Sequence, residues 1–284
     1  METFDLVSVV VTTYNRSDAL LAVLDGLTRQ TDQNFEVIVA DDGSRLEHQR
    51  LIFESQAART LRVIHVWHPD VGFTVSSIRN RGVANSCGKY IVFLDGDCVP
   101  EIDFIARHKL LRQEGTFVNG SRVLLSAELT QDVLAGVESI CGHSLWFWLT
   151  QRVLSHANKL SGLIRLPDGF FRVRRTFSWK GIRSCNMAIW RDDFVAVNGF
   201  DETFEGWGHE DADLVLRLSH LGIHRKNGFW ATEVYHLWHS ESQRDRESAN
   251  RLKVLERIQT RLVVAEKGLR EIGHDVSLKV TKLY

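Results

Sequence analysis

Four short runs constrain the fold of this 284-residue chain more than any other feature: Leu6 to Thr12, Phe35 to Ala40, Leu61 to Val66 and Lys89 to Leu94. Each is rich in Val and Ile and apolar on both faces through its middle, the pattern of a strand covered on both sides in a parallel sheet. Helical patterns separate them. Ser17 is the expected N-cap of a helix carrying Leu20, Leu21, Leu24 and Leu27 at three-to-four spacing. Further helices are predicted over 46–58 and 74–86, and over 101–113 directly after Pro100. This β-α-β-α alternation implies an α/β fold, a doubly wound, mostly parallel central sheet flanked by helices. Residues 1–245 read as one domain, with a first half ending near 125 and a second half over 126–245. Residues 246–284 read as a C-terminal helical extension, because Leu255, Ile258, Leu262, Ala265, Leu269 and Ile272 recur at helical spacing. One helix from Ser248 to Ile272 is expected, packed back on the domain, with a dimer seam or a membrane-surface contact as alternatives.

Three of the apolar runs end in polar clusters: Thr12-Thr13-Tyr14-Asn15-Arg16, Asp41-Asp42-Gly43-Ser44 and Asp95-Gly96-Asp97. In an open parallel sheet the carboxyl ends of the strands share one rim, where ligands bind. The sequence therefore gathers carboxylates from distant segments into one crevice. Converging aspartates repel unless a cation joins them or one takes up a proton. Two carboxylates around a glycine suit Mn²⁺ or Mg²⁺, hard ions that leave coordination positions for phosphate oxygens. No Walker-type loop and no G-x-G-x-x-G is present.

A second acidic cluster closes the segment from Gly199 to Asp213, where Gly206-Trp207-Gly208 leads into Glu210, Asp211 and Asp213 at the start of a helical pattern. Acids in a first helical turn complement the helix dipole. They also make a general base, with Trp207 as a platform for the C–H face of a sugar. Both readings stand at this point. His236 and His239 follow, and a neutral imidazole could complete a metal site begun by Asp97.

Composition narrows the classes of partner. The net charge is -1, which argues against a nucleic-acid binder. Cys87, Cys98, Cys141 and Cys185 are too scattered for a disulfide framework and fit a reducing compartment. An acidic amino terminus without an apolar stretch, and the lack of a spanning segment, make a cytoplasmic location the expectation.

Together the V-S-V-V-V-T-T-Y-N-R, A-D-D-G-S, F-L-D-G-D and G-F-D-E-x-F-x-G-W-G-x-E-D-x-D blocks resemble family 2 glycosyltransferases with the GT-A fold. The last block is similar to the acceptor-side motif of galactosyl- and N-acetylgalactosaminyltransferases, chondroitin-polymerase-like enzymes included. The resemblance implies an inverting, metal-dependent transfer of one hexose or N-acetylhexosamine from a UDP-sugar to a glycan or lipid-linked acceptor, in surface polysaccharide or lipopolysaccharide synthesis. It implies that Thr13, Tyr14 and Arg16 line the nucleotide pocket and that Asp42 pairs with the uracil edge. Arg79 and Asn80 would face the nucleotide-sugar, with Asp95 and Gly96 at the ribose or sugar. Asp97 would bind the metal with His239, His236 being the nearby competitor. Asp211 would be the catalytic base, with Glu210 and Trp207 shaping the acceptor site. No Q-x-x-R-W motif occurs, which argues against a processive synthase.

Between 152 and 183 stand Arg152, Lys159, Arg165, Arg172, Arg174, Arg175, Lys180 and Arg183 against a single acid, Asp168. The aromatic run from Leu145 to Leu149 precedes them. This insertion is expected either to approach an anionic acceptor or the inner membrane surface, or to be a solvated loop over an aromatic core piece. Two rival activities remain. A sugar-phosphate nucleotidyltransferase would want a Gly-rich basic loop after the first strand, and a non-catalytic carbohydrate-binding protein would not need metal-binding aspartates.

Overall fold

The computed structural model describes residues 5–240, 245–273 and 277–284. Its strands are β1 (Val7–Thr13), β2 (Phe35–Asp41), β3 (Val63–Trp67), β4 (Tyr90–Asp95), β5 (Cys98–Pro100), β6 (Thr116–Asn119), β7 (Ser121–Leu124), β8 (Val173–Arg174), β9 (Asn186–Trp190), β10 (His224–Asn227), β11 (Glu233–His236) and β12 (Lys279–Lys282). Its α-helices are α1 (Ser17–Thr28), α2 (Leu46–Glu54), α3 (Gln56–Thr60), α4 (Val75–Ala84), α5 (Phe104–Leu111), α6 (Ala127–Leu134), α7 (Leu145–Val153), α8 (Arg191–Ala196), α9 (Glu210–His220) and α10 (Glu247–Thr260).

Nine strands form the main sheet in the order β12-β3-β2-β1-β4-β9-β6-β10-β8. The four strands expected from the sequence are its parallel centre, β3-β2-β1-β4. Strict alternation divides their side chains. Val7, Val9 and Val11 of β1 pack on the face that α1 covers with Leu20 and Leu24, whereas Val10 joins Ile38, Ile64, Ile78 and Phe93 on the other. Beyond β4 the sheet turns mixed, because β9 runs antiparallel to both β4 and β6. A second, three-stranded sheet, β5-β11-β7, lies beside the rim.

Several local expectations change. Ser17 opens α1 as its first residue; Arg16 takes the cap position, and the Ser17 hydroxyl instead bonds His48 Nδ1 at 2.9 Å. The predicted helix over 101–113 is shorter, because Cys98–Pro100 pairs with β11 and the turn after it delays α5 to Phe104.

The single tail helix is also corrected. α10 ends at Thr260, where Arg261 adopts a left-handed φ of 54°. The apolar spacing misleads here: Leu255 and Ile258 are exposed, and the buried face is Asn250, Val254 and Arg257. α10 does pack back on α9, through ion pairs from Arg257 to Asp213 (2.6 Å) and Asp201 (2.9 Å). Both acids are fully buried, so the anchor is a charge network. Within the extension, Lys279–Lys282 form β12, which pairs antiparallel with β3 at the sheet edge. Among the described residues no helix is long and apolar enough to cross a membrane.

Candidate active site at the strand-end rim

Parallel register brings the polar clusters together. Thr13 lies beside Asp41 across β1 and β2, and Thr12 beside Asp95 across β1 and β4. The Gly96 amide bonds the Thr12 carbonyl at 2.7 Å, and a Cβ at Gly96 would stand 2.6 Å from that oxygen. Only glycine lets the Asp95-Gly96-Asp97 turn sit this close to β1.

On the β2 side, Asp42 accepts from His68 Nε2 (2.8 Å), from the Thr74 hydroxyl and from the Thr74 amide (3.0 Å). Its carboxylate is thus fixed in place, with Oδ2 taking only the amide. Tyr14, half exposed, donates to Asp70 at 2.8 Å. Thr13 is buried, and Arg16 pairs loosely with Asp18.

Arg79 is the central connection. It is buried on α4 and donates from Nη2 to Asp95 Oδ1 at 2.8 Å, while its Nη1 stands 3.6 Å from Glu210 Oε1. One guanidinium therefore joins two acid clusters more than a hundred residues apart in sequence. Asn80 behaves differently from the expectation. It is fully buried, and its amide exchanges hydrogen bonds with the Phe200 backbone (2.8 and 2.9 Å). It clamps the Gly199-to-Asp213 segment onto α4 and does not face the crevice.

That segment reaches α9 through Gly206, Gly208 and His209, all with positive φ. The turn leaves Trp207 exposed and sets Glu210 and Asp211 at the start of the helix. Burial and the neighbouring Asp211 push Glu210 up to about 7, against the pull of Arg79. Desolvation also raises Asp211, opposed by the Ala212 amide at 2.7 Å, by Arg79 and by the Ser184 amide. A carboxylate raised in this way is suited to take a proton near neutral pH.

The metal expectation has a matching donor set. Asp97 Oδ2 lies 3.2 Å from His239 Nε2, and Asp97 Oδ1 lies 3.7 Å from His236 Nε2. Burial and the adjacent Asp95 push Asp97 up to about 6, so its charge calls for a cation. Burial and Arg122 hold His236 down near 4, leaving it neutral. His239 Nδ1 bonds the Ser240 carbonyl at 2.7 Å, which turns Nε2 towards Asp97 in the manner of a ligand. Cys98 also stands in this group. Its thiol is pushed well above its ordinary range by burial and donates to Asp97 at 3.5 Å, so it orients the carboxylate.

Three features were not expected at the rim: Cys98, Arg122 and the Arg183-Ser184-Cys185 turn. Arg122 lies on β7 and the turn leads into β9, neither of which was expected from the sequence. Because β9 is antiparallel, its first residue, Asn186, lies opposite Leu94, and the turn before it reaches the rim. The Asp95 amide there bonds the Cys185 carbonyl at 3.3 Å.

Residues 8–182 match the family model for glycosyl transferase family 2, and 169–240 match that for the N-terminal domain of galactosyltransferase. Validoxylamine A glucosyltransferase of Streptomyces hygroscopicus subsp. jinggangensis is 31% identical over 232 residues, covering 77% of this chain and 52% of that protein. Chondroitin synthase of Escherichia coli is 25% identical over 239 residues, 78% of this chain and 33% of its own. The chain thus spans about half, or less, of the length of these relatives. In fold it resembles GalNAc-T7, solved with UDP, GalNAc and Mn²⁺, at a TM-score of 0.62 and 15% identity, over 90% of this chain and 48% of that one. The fold is GT-A.

Proposed function

Since the chain belongs to glycosyl transferase family 2 and is a glycosyltransferase, we propose that it moves one hexose or N-acetylhexosamine from a UDP-sugar to a glycan or lipid-linked acceptor, with inversion. The observation that carries this reading is Arg79 bridging Asp95 of the strand-end turn to Glu210 beside Asp211. It supports a reading in which a donor-side carboxylate and a base share one crevice.

In this reading Thr13, Tyr14 and Arg16 border the nucleotide, and the free lone pair of Asp42 Oδ2 accepts from the uracil edge. The unshared oxygen of Asp95, at the Gly96 turn, accepts from the ribose or sugar. Arg79 neutralises the acids around the transferred sugar. Asp97 with His239, and His236 behind it, would hold Mn²⁺ or Mg²⁺, which when bound stabilises charge on the departing diphosphate. Asp211 accepts the proton of the acceptor hydroxyl while that oxygen bonds to the anomeric carbon. The bond from this carbon to the diphosphate breaks on the opposite face, so a single displacement inverts the centre. Glu210, held protonated more readily than a free carboxyl, can donate to an acceptor hydroxyl, and Trp207 can stack on its ring. The four free cysteines favour action in the cytoplasm, and lipid-linked acceptors would bring the enzyme to the inner face of the membrane for surface polysaccharide synthesis.

A thermal-shift panel of nucleotide-sugars with and without Mn²⁺ tests the reading, since a ligand binding only the folded state raises the melting temperature. One UDP-sugar should give a Mn²⁺-dependent shift that Asp97→Ala removes. A panel without any shift, or a shift untouched in Asp97→Ala, defeats it.

A further inference from the structure

Beside the rim lies a second cavity of about 710 Å³, within the range of ligand pockets. Six cationic side chains line it besides Arg172, namely Arg122, Lys159, Arg174, Lys180, Arg183 and Arg225, and no carboxylate does. Among the described residues none of the six forms an ion pair. Six like charges around one void repel each other, and burial lowers Lys159 and Arg225 below their ordinary values. Such an arrangement is stabilised when an anion enters.

The cavity is a built feature. Arg172, fully buried in its wall, donates to the carbonyls of Leu166 (2.7 Å), Pro167 (2.9 Å), Asn227 (2.8 Å) and Phe229 (2.8 Å). It thereby fixes the loop after α7 to the end of β10. Phe171, Phe229 and Trp230 share the lining, and the last two stack with ring centres 4.6 Å apart. Aromatic faces beside cations suit a sugar that carries negative charge.

Two of the cations also reach the reaction centre. Arg122 lies on β7, register-paired with β11, which ends in His236. Burial works against its charge, but Cys185, Cys98, Asp95 and Asp97 more than offset this and hold it above its ordinary value. Arg183 directly precedes Ser184, whose amide holds Asp211. A group seated in the cavity is therefore a short reach from the base.

We propose that this cavity is an anion subsite for the acceptor, taking a phosphoryl group carried close to the hydroxyl that receives the sugar; the proposal rests on the glycosyl-transfer reading of the rim. Six cations without an ion pair among the described residues match the two charges of a phosphate monoester or a pyrophosphate better than a single carboxylate. The phosphoryl group could belong to the acceptor glycan or its lipid link, or to a bilayer headgroup. A concave site walled by stacked rings favours the acceptor.

The test uses methyl phosphate as the probe, with methyl β-glucuronide and phosphatidylglycerol vesicles in parallel arms, on protein saturated with UDP and Mn²⁺ to block the rim. Methyl phosphate should bind saturably and more tightly than the glucuronide. Its affinity should fall about tenfold, or about 1.4 kcal/mol, in the double variant Arg174→Gln/Lys180→Gln, whose side chains are exposed and make no hydrogen bond or ion pair among the described residues. UDP affinity should stay within about twofold. No saturable phosphate binding, an unchanged affinity in the variant, or tighter glucuronide binding overturns the proposal. Loss of vesicle association in the variant without methyl phosphate binding also overturns it, and assigns the cavity to a headgroup. UDP binding is read separately: if UDP fails to bind, the rim reading falls and the acceptor role with it, whereas failure of methyl phosphate alone removes only the subsite.

Discussion

The acidic rim and the cationic cavity are neighbours built by opposite means. Carboxylates reach the rim from the ends of β2 and β4, on either side of β1, strands buried on both faces, and the parallel register fixes their relative heights. The cavity draws its cations from the segment over 158–183, from β7 of the small sheet and from β10 near the far edge of the main sheet. Its shape is set by one buried arginine holding four carbonyls. The regular part of the fold thus positions the groups that do chemistry. The irregular part supplies a charge field, which needs less exact placement because charge acts over several ångströms.

The two regions should fail differently when altered. Asp211→Asn should lower turnover about a thousandfold, as loss of a general base does, while UDP·Mn²⁺ affinity changes by less than about threefold; substantial residual turnover would break the assignment. Arg79→Met should follow, with a loss of about a hundredfold from removing the cation shared by Asp95 and Glu210, seen in turnover at saturating donor. In the cavity, Arg174→Gln/Lys180→Gln should raise the KM for a phosphorylated acceptor about tenfold and leave the donor KM within about twofold. A donor KM that rose equally would merge the two regions into one site.

The smallest effect concerns pH and stability. Glu233, buried beside the cavity, is pushed up to about 7 by desolvation, against the Trp230 amide and Lys159. The folded state then holds its proton more tightly than the unfolded chain does, so stability falls as pH rises from the ordinary 4.5 towards 7. Glu233→Gln should flatten that slope and raise the melting temperature at pH 8 by about 2–4 °C; a parallel pH profile in the variant would refute this.

The same contrast explains what could be read in advance. The runs from Leu6 to Leu94 told their structure through composition, because a strand covered on both faces has no polar alternative. The mixed edge did not: nothing local in Asn186–Trp190 says that it enters the sheet antiparallel, and so Ser184 and Arg183 were missed at the rim. Counting charge in 152–183 located the basic region but not its roles. Arg165 is taken by Asp103, with hydrogen bonds of 2.8 and 3.1 Å, and Arg172 holds backbone carbonyls, so neither faces an anion. Asn80 shows the limit of motif transfer, for its neighbour Arg79 faces the crevice while Asn80 itself is spent inside. The tail failed for the same reason in reverse: its buried face is held by Arg257 and two aspartates, and apolar periodicity carries no signal for an interface made of charge.

β12 has a consequence for how the chain is made. It pairs with β3, from which it is separated by some two hundred residues, and at ~10 residues per second the ribosome needs about twenty seconds to cover that distance. Throughout that interval β3 emerges with one row of amides and carbonyls unpaired, next to the hydrophobic strands of the sheet centre. An unpaired edge of this kind is a template for a neighbouring nascent chain. Yield at high expression temperature should therefore depend on how quickly Lys279–Lys282 reaches its place, a property of synthesis speed that leaves the stability of the finished protein unchanged.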